Sequence, residues 1–380
     1  MTVSEPVADR LPADPEAPTG DWVAGVNRAG WDFHRYLVGN AVSSPVSIGF
    51  AFSMSRAGAS ADTGTALDTI FQFPKENLHS AANTVDLMLA EASTGPTVLE
   101  VANRLFSDDE FSPLPGFLDT ATARYGATVQ PIDTADGAEA AHTINEWISE
   151  ITRGLIPAIV TDNAVKDQQL VLVNTVYLNA DWLVPFLPDF TRDGPFSTGD
   201  NRSVTVSFMR DKEPVDRRYV RLADADAVEL PYQGGELAMW IIVPHDPTGL
   251  ATVEATLDAE AIIRLESTAQ TGLVDLTMPK WEQTLSADLF EWLCPMGFCT
   301  GAGFDRISPG IVITSAIHSA KVIVDEKGTE ASAATAMAFP TSDPPPPDLT
   351  IVADRPFLWT ITHQNTGTLL FIGRLVDPTT

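Results

Sequence analysis

Six histidines and two cysteines are among the side chains of this 380-residue sequence whose types could carry nucleophilic, acid–base or metal chemistry. Their spacing speaks against all three. His34, His79, His142, His245, His318 and His363 are scattered singly with no ligand spacing, and a lone histidine is more often a satisfied structural residue than a base or a ligand. No G-x-S-x-G, H-E-x-x-H, P-loop or S-x-x-K run is present. Gly301-Ala-Gly303 opens like a dinucleotide fingerprint, but Arg306 stands where the third glycine belongs. Cys294 and Cys299 flank Pro295 and Gly297. With no disulfide framework to join, two free thiols are expected, pairing being the alternative. The expectation is a chain that is not an enzyme and has no catalytic residue, no metal and no cofactor.

A different feature stands out between Lys321 and Leu349. Val322, Ile323 and Val324 read as a strand that ends in Asp325, Glu326 and Lys327. Gly328 then opens a run of small residues without charge after Glu330, followed by Phe339, Pro340 and the four prolines Pro344 to Pro347. A flexible linker would be Gly/Ser-rich or charged; this segment is neither. Two readings fit the run. It is an alanine-rich helix by propensity, or a latent strand by alternation. In the second reading Thr329, Ala331, Ala333, Thr335, Met337 and Phe339 share one uncharged face, and Glu330, Ser332, Ala334, Ala336 and Ala338 share the other.

The company this segment keeps favours the strand. Val324 to Ala336 (VDEKGTEASAATA) resembles the reactive-loop hinge of the serpins, the serine-protease inhibitors. Ser44-Pro-Val-Ser-Ile48 with Gly58-Ala59 resembles the start of the helix beneath that family's main sheet. Asn174 to Phe186 (NTVYLNADWLVPF) resembles its third strand and the adjoining turn, and Arg355 to Arg374 (RPFLWTITHQNTGTLLFIGR) its closing hairpin. The four stretches occur in the family's order and together span nearly the whole chain.

The resemblance implies a specific set of roles. Glu326, Gly328, Thr329, Glu330, Ala331, Ser332, Ala333 and Ala334 would form the hinge, within a reactive loop over about 326–348. Ser44, Ser47, Asn174 and His318 would form a polar cluster under the centre of the main sheet, and Trp182 would sit at the top of the gap where insertion begins. The reactive bond would be Ser342–Asp343, with Thr341–Ser342 as the alternative. A serine endopeptidase would cut there and form an acyl-enzyme. Residues 329–341 would then enter the sheet as a new central strand and trap the protease as a covalent complex. Neither bond has a basic residue before the cut, so an elastase- or subtilisin-like target is implied over a trypsin-like one. A non-inhibitory serpin acting as a binding or chaperone-like partner is the alternative. A monomer is expected, with loop–sheet polymers as a further state.

The elements that would position these residues follow from periodicity. Helices are expected over Asp21–Leu37, after Ser44-Pro45, from Asp62 to before Pro74, and over 75–91, 114–125 and Asp136–Thr152. Two short helices are expected within 250–268, and another over Ser286–Leu293. Strands are expected over Thr97–Phe106, 127–132, 203–210, 216–222, 226–231, 237–244 and Val274–Trp281. Gln168–Leu178 is almost continuously apolar, the pattern of a strand covered on both faces, with Asn174 as its anomaly. Helices dominate the first third and strands the rest, so the class is α+β. The family implies one domain over 21–380, with a large central β-sheet, two smaller sheets, about eight to nine helices and an exposed loop.

Bulk composition narrows the partners. A net charge of −28 opposes binding to nucleic acid or to an anionic membrane surface. No stretch approaches the roughly 20 apolar residues of a membrane-spanning helix. Residues 1–20 are acidic and proline-rich, which reads as a disordered tail and not as a secretory signal. The expected location is cytoplasmic for the sequence as written, or extracellular for a processed form.

Overall fold

The computed structural model describes residues 9–93, 97–156, 158, 160–200, 202–329 and 345–380. The N-terminal part runs α1 (Thr19–Tyr36), β1 (Ala41–Ser43), α2 (Pro45–Gly58), α3 (Ala61–Phe71), α4 (Leu78–Glu91), β2 (Val98–Asp108), α5 (Pro115–Tyr125), β3 (Val129–Ile132), α6 (Gly137–Ile151) and α7 (Asp162–Val165). The strand-rich part follows: β4 (Leu170–Asp181), β5 (Arg192–Ser197), β6 (Ser203–Arg210), β7 (Val215–Arg221), β8 (Ala225–Pro231) and β9 (Leu237–Pro244). The chain continues with α8 (Leu250–Thr256), α9 (Ala259–Thr268), β10 (Gln270–Pro279), β11 (Trp281–Asp288), α10 (Phe290–Leu293) and β12 (Ser315–Val324). It closes with β13 (Gly328–Thr329), β14 (Leu349–Val352), β15 (Phe357–His363) and β16 (Thr368–Leu375). The class is α+β, as the sequence implies. Of the ten helices among the described residues, α7 and α10 are single turns, too short for periodicity to reveal.

Six strands form the sheet that carries the site, in the order β11-β12-β13-β4-β2-β3. The remaining ten strands form a second, continuous sheet: nine follow the order β1-β16-β15-β9-β8-β7-β10-β6-β5, and β14 pairs with β10. Strand β10 bridges its two parts: Gln270–Val274 pairs with β7, while Thr277–Pro279 pairs with β6.

The unbroken apolar pattern of β4 has a physical cause. Val171 and Val173 pack against Ile144, Trp147 and Ile148 of α6, whereas Leu170, Leu172 and Val176 belong to the main core on the opposite face. Beneath that second face lies α2, buried over nearly its whole length. Its start is fixed locally: Pro45 occupies the first turn, where a missing N–H costs nothing, and Ser44 Oγ accepts from the backbone N–H of Ser47 at 3.3 Å.

Three expectations are corrected. The helix expected over Ser286–Leu293 is confined to its second half, because Ser286–Asp288 belongs to a strand. Strand β11 alternates between buried and exposed positions from Trp281 to Asp288 along β12, and only Phe290–Leu293 is helical. Cys294 and Cys299 are joined in a disulfide and are not free thiols. A turn at Cys294–Met296 and the left-handed Gly297 (φ 94°) fold the chain back, leaving the two Cα atoms 4.3 Å apart. The expected disordered tail is, from residue 9 onward, held against α4 and α5. Arg10 pairs with Asp86 at 2.5 Å and donates to Asn83 Oδ1 at 2.7 Å, Leu11 N donates to Ala123 O at 2.9 Å, and Ser80 Oγ donates to Asp14 Oδ2 at 2.7 Å.

Candidate functional site

Two strands that the sequence separates by more than a hundred residues, β4 and β12, lie side by side in parallel over only part of their length. Ser315–Ala320 pairs with Val171–Val176. Above that zone β13 stands between them, antiparallel to both: Gly328 faces Asp181, and Thr329 faces Ala180 on one side and Val324 on the other. Gly328 and Thr329 of the hinge thus already belong to the sheet.

Gly328 is required here by close approach. A β-carbon at this position would lie 2.0 Å from Ala180 O and 2.8 Å from Asp181 Cα. Thr329, 1% exposed, turns its hydroxyl to the Tyr232 hydroxyl at 2.7 Å. Burial pushes the Tyr232 phenol above its ordinary pKa, so it stays neutral and available for that bond. Trp182 stacks on Tyr232 with ring centroids 4.5 Å apart and donates from Nε1 to Asp325 O at 3.0 Å. Backbone donors complete the grip: Trp182 N to Lys327 O at 2.7 Å and Phe186 N to Glu326 O at 2.8 Å. Asp325 Oδ1 accepts from Lys327 N at 2.8 Å and from Gly328 N at 3.3 Å, shaping the turn into β13.

Glu326 is anchored by charge. Lys280 Nζ lies 2.8 Å from one carboxylate oxygen and Thr191 Oγ1 donates to the other at 2.7 Å. Burial works against ionisation, but these two hydrogen bonds outweigh it and hold the carboxyl below its usual range. Glu330, Ala331, Ser332, Ala333, Ala334, Thr341, Ser342 and Asp343 lie outside the described residues.

The polar cluster comes together around one row of the sheet. His318 of β12 sits opposite Asn174 of β4, which sits opposite Asn103 of β2. Ser44 N donates to His318 Nε2 at 3.1 Å, so the ring proton is on Nδ1 and is donated to Asn174 Oδ1 at 2.6 Å. Asn174 Nδ2 in turn donates to Ser47 O at 2.6 Å and Asn103 Oδ1 at 2.5 Å, and Ser47 Oγ donates to Thr175 O at 3.3 Å. The ring is fully buried, and burial lowers its pKa to about 3, which keeps it neutral. Every polar atom of Asn174 and His318 is satisfied without charge, as a buried position demands.

Sequence reasoning missed Asn103, Tyr232, Thr191 and Lys280. Asn103 carried a signal, because it interrupts a strand as Asn174 does. The others carried none, since each meets the site only through long-range packing. Among the described residues no three His, Cys, Asp or Glu side chains converge as a metal would need, and no helix is long and apolar enough to cross a membrane.

Comparison with known proteins agrees with this architecture. Residues 35–378 match the family model described as Serpin (serine protease inhibitor). The leukocyte elastase inhibitor of Bos taurus is 32% identical over 360 residues, covering 90% of this chain and 93% of that protein. Among solved structures, the thermophilic serpin tengpin in its native state superposes with a TM-score of 0.86 at 21% identity, covering 97% of both chains. Uncleaved ovalbumin superposes with a TM-score of 0.82 at 23% identity, covering 94% of this chain and all of that one. The chain belongs to the serpin family, the serine protease inhibitors.

Proposed function

We propose that this chain is a suicide-type inhibitor of serine endopeptidases, acting through insertion of residues 329–341 between β4 and β12. The observation that carries the reading is the position of Thr329, already paired with Ala180 and Val324. Continuing that register six residues beyond Thr329, and six back from Ala180 and Val324, brings Thr335 opposite both Asn174 and His318. The two registers agree on the row because His318 and Asn174 are themselves paired. The entering strand would part His318 Nδ1 from Asn174 Oδ1, while the bonds of His318 Nε2 to Ser44 N and of Asn174 Nδ2 to Ser47 O and Asn103 Oδ1 lie on atoms outside that pair.

The energetics are adequate. Insertion parts the six pairs of Ser315–Ala320 with Val171–Val176. It forms about a dozen new backbone hydrogen bonds, each worth about 1 kcal/mol net, and buries the uncharged face of the strand. The total is on the order of 10 kcal/mol, comparable to the stability of a whole domain. Strand addition of this kind is an established use of serpin loops. The bond attacked is Ser342–Asp343 or Thr341–Ser342, and the target is elastase- or subtilisin-like. The protease is held as a covalent acyl complex, and the inhibitor itself is a monomer.

Two measurements test this. Mixed with pancreatic elastase or subtilisin, the protein is expected to form an SDS-stable complex and release a C-terminal peptide beginning at Ser342 or Asp343. Loop-cleaved protein is expected to melt well above intact protein. Cleavage without a complex and without a gain in melting temperature would assign the chain to the non-inhibitory serpins.

A further inference from the structure

The turn after β4 holds the hinge on one side and walls a cavity on the other. Phe186 donates its backbone N–H to Glu326 O at 2.8 Å. Its ring, with Pro185, Leu187, Pro214 and Val215, lines a cavity of about 290 Å³. The ring is 3% exposed, and the Arg217 guanidinium lies 5.8 Å from its centroid, which fixes the cavity wall.

The mouth of this cavity carries two bases and two acids, Arg210, Asp211, Lys212 and Glu213. Asp211 is committed to Arg217, with which it forms a buried pair at 2.5 Å, and it also accepts from Leu276 N at 2.9 Å. Lys212 lies 3.9 Å from Glu213. Arg210, exposed at the end of β6, donates to Thr277 Oγ1 at 3.4 Å and has no carboxylate within ion-pair distance among the described residues. In a chain with 51 acidic and 23 basic residues, an arginine without an acidic partner at the rim of an apolar cavity leaves an anion position open.

We propose that this cavity is a binding site for a compact amphiphilic carboxylate, with its apolar body against Phe186 and Val215 and its carboxylate on Arg210. The volume lies at the small end of ligand sites, about 300–1,000 Å³, which fits a medium-chain fatty acid or an apolar residue that ends a peptide. A planar guanidinium matches a carboxylate in two-point geometry. Occupancy would fix Phe186, and with it the N–H that holds Glu326 O. The ligand would thus favour the form in which the hinge is gripped, and would stabilise that form by mass action. Binding at this site does not depend on whether the chain traps proteases.

The test uses the full chain and calorimetric titration with decanoate, with decanol as the neutral control. A short peptide ending in leucine and its C-terminal amide form a second arm. Saturable one-to-one binding of decanoate or of the peptide acid is expected, and which of the two binds identifies the source of the carboxylate. Arg210→Gln should weaken binding by about ten-fold or more, the effect of losing one charge-assisted pair, while leaving the weak binding of decanol unchanged. Bound ligand should also slow amide exchange at Phe186. No saturable binding of either acid at millimolar concentration, or equal affinity in Arg210→Gln, would overturn the proposal.

Discussion

His318 and Asn174 occupy one row of the main sheet on parallel strands, joined by a 2.6 Å hydrogen bond from His318 Nδ1 to Asn174 Oδ1. The other ring nitrogen, Nε2, accepts from Ser44 N at 3.1 Å, and that bond requires a neutral imidazole. Burial holds the pKa of His318 to about 3, against 6.5 for an exposed histidine.

A pH dependence follows from that difference. Between pH 6.5 and about 3 the unfolded chain takes up a proton at His318 that the folded chain refuses. The stability from this residue is therefore complete above pH 6.5 and declines as pH falls, by at most about 1.4 kcal/mol per pH unit. Urea denaturation of the wild type and His318→Gln at pH 7.5 and pH 5 reads it directly. The stability difference between the two proteins should shrink at the lower pH. His34, His79 and His363, whose pKa values are also lowered by burial, cancel in that comparison.

Thr329→Arg should convert the protein from inhibitor to substrate. Position 329 is buried between β4 and β12, and an unpaired charge there costs several kcal/mol. The reactive bond would still be cut. The readout is an SDS gel with elastase: the covalent band should vanish while the cleaved inhibitor accumulates. Unchanged complex formation at one-to-one stoichiometry would contradict the role given to this residue.

Tyr232→Phe should cost about 1–2 kcal/mol of native stability, because it leaves the buried Thr329 hydroxyl without its partner. Since Trp182 stacks on the same ring, its fluorescence should report the change at the hinge before global unfolding. A double substitution with Thr329→Val should cost less than the sum of the two single changes, since the hydroxyls depend on each other.

Thiol titration of the folded protein should find no free cysteine, and two after reduction. Because the Cys294–Cys299 bridge closes a short loop, its loss should lower stability by about 2 kcal/mol on chain-entropy grounds. A Cys294→Ser, Cys299→Ser pair should match the reduced protein.

The apolar run of β4, the start of α2 at Ser44-Pro45 and the α+β class were legible in the sequence, because each depends on local patterning that packing reinforces. The hinge was recognisable as a motif. What escaped was whatever depends on distant partners. Tyr232 meets Thr329 across 97 positions, and Lys280 reaches Glu326 from the far end of β10. Neither pairing leaves a periodic trace. The disulfide escaped for a related reason: the geometry that closes it comes from a turn, and separation alone does not reveal one. Strand β11 was misread at its end because Ser286, Ala287 and Asp288 fit a helix start as well as a strand edge, until β12 is placed beside them.

The pairing of Thr329 with both Ala180 and Val324 also guards against misthreading. A zip whose first tooth is already engaged cannot start one tooth out. If residues 329–341 insert as proposed, a register fixed at Thr329 chooses the alignment before any cleavage, and speed after the cut need not be traded against accuracy.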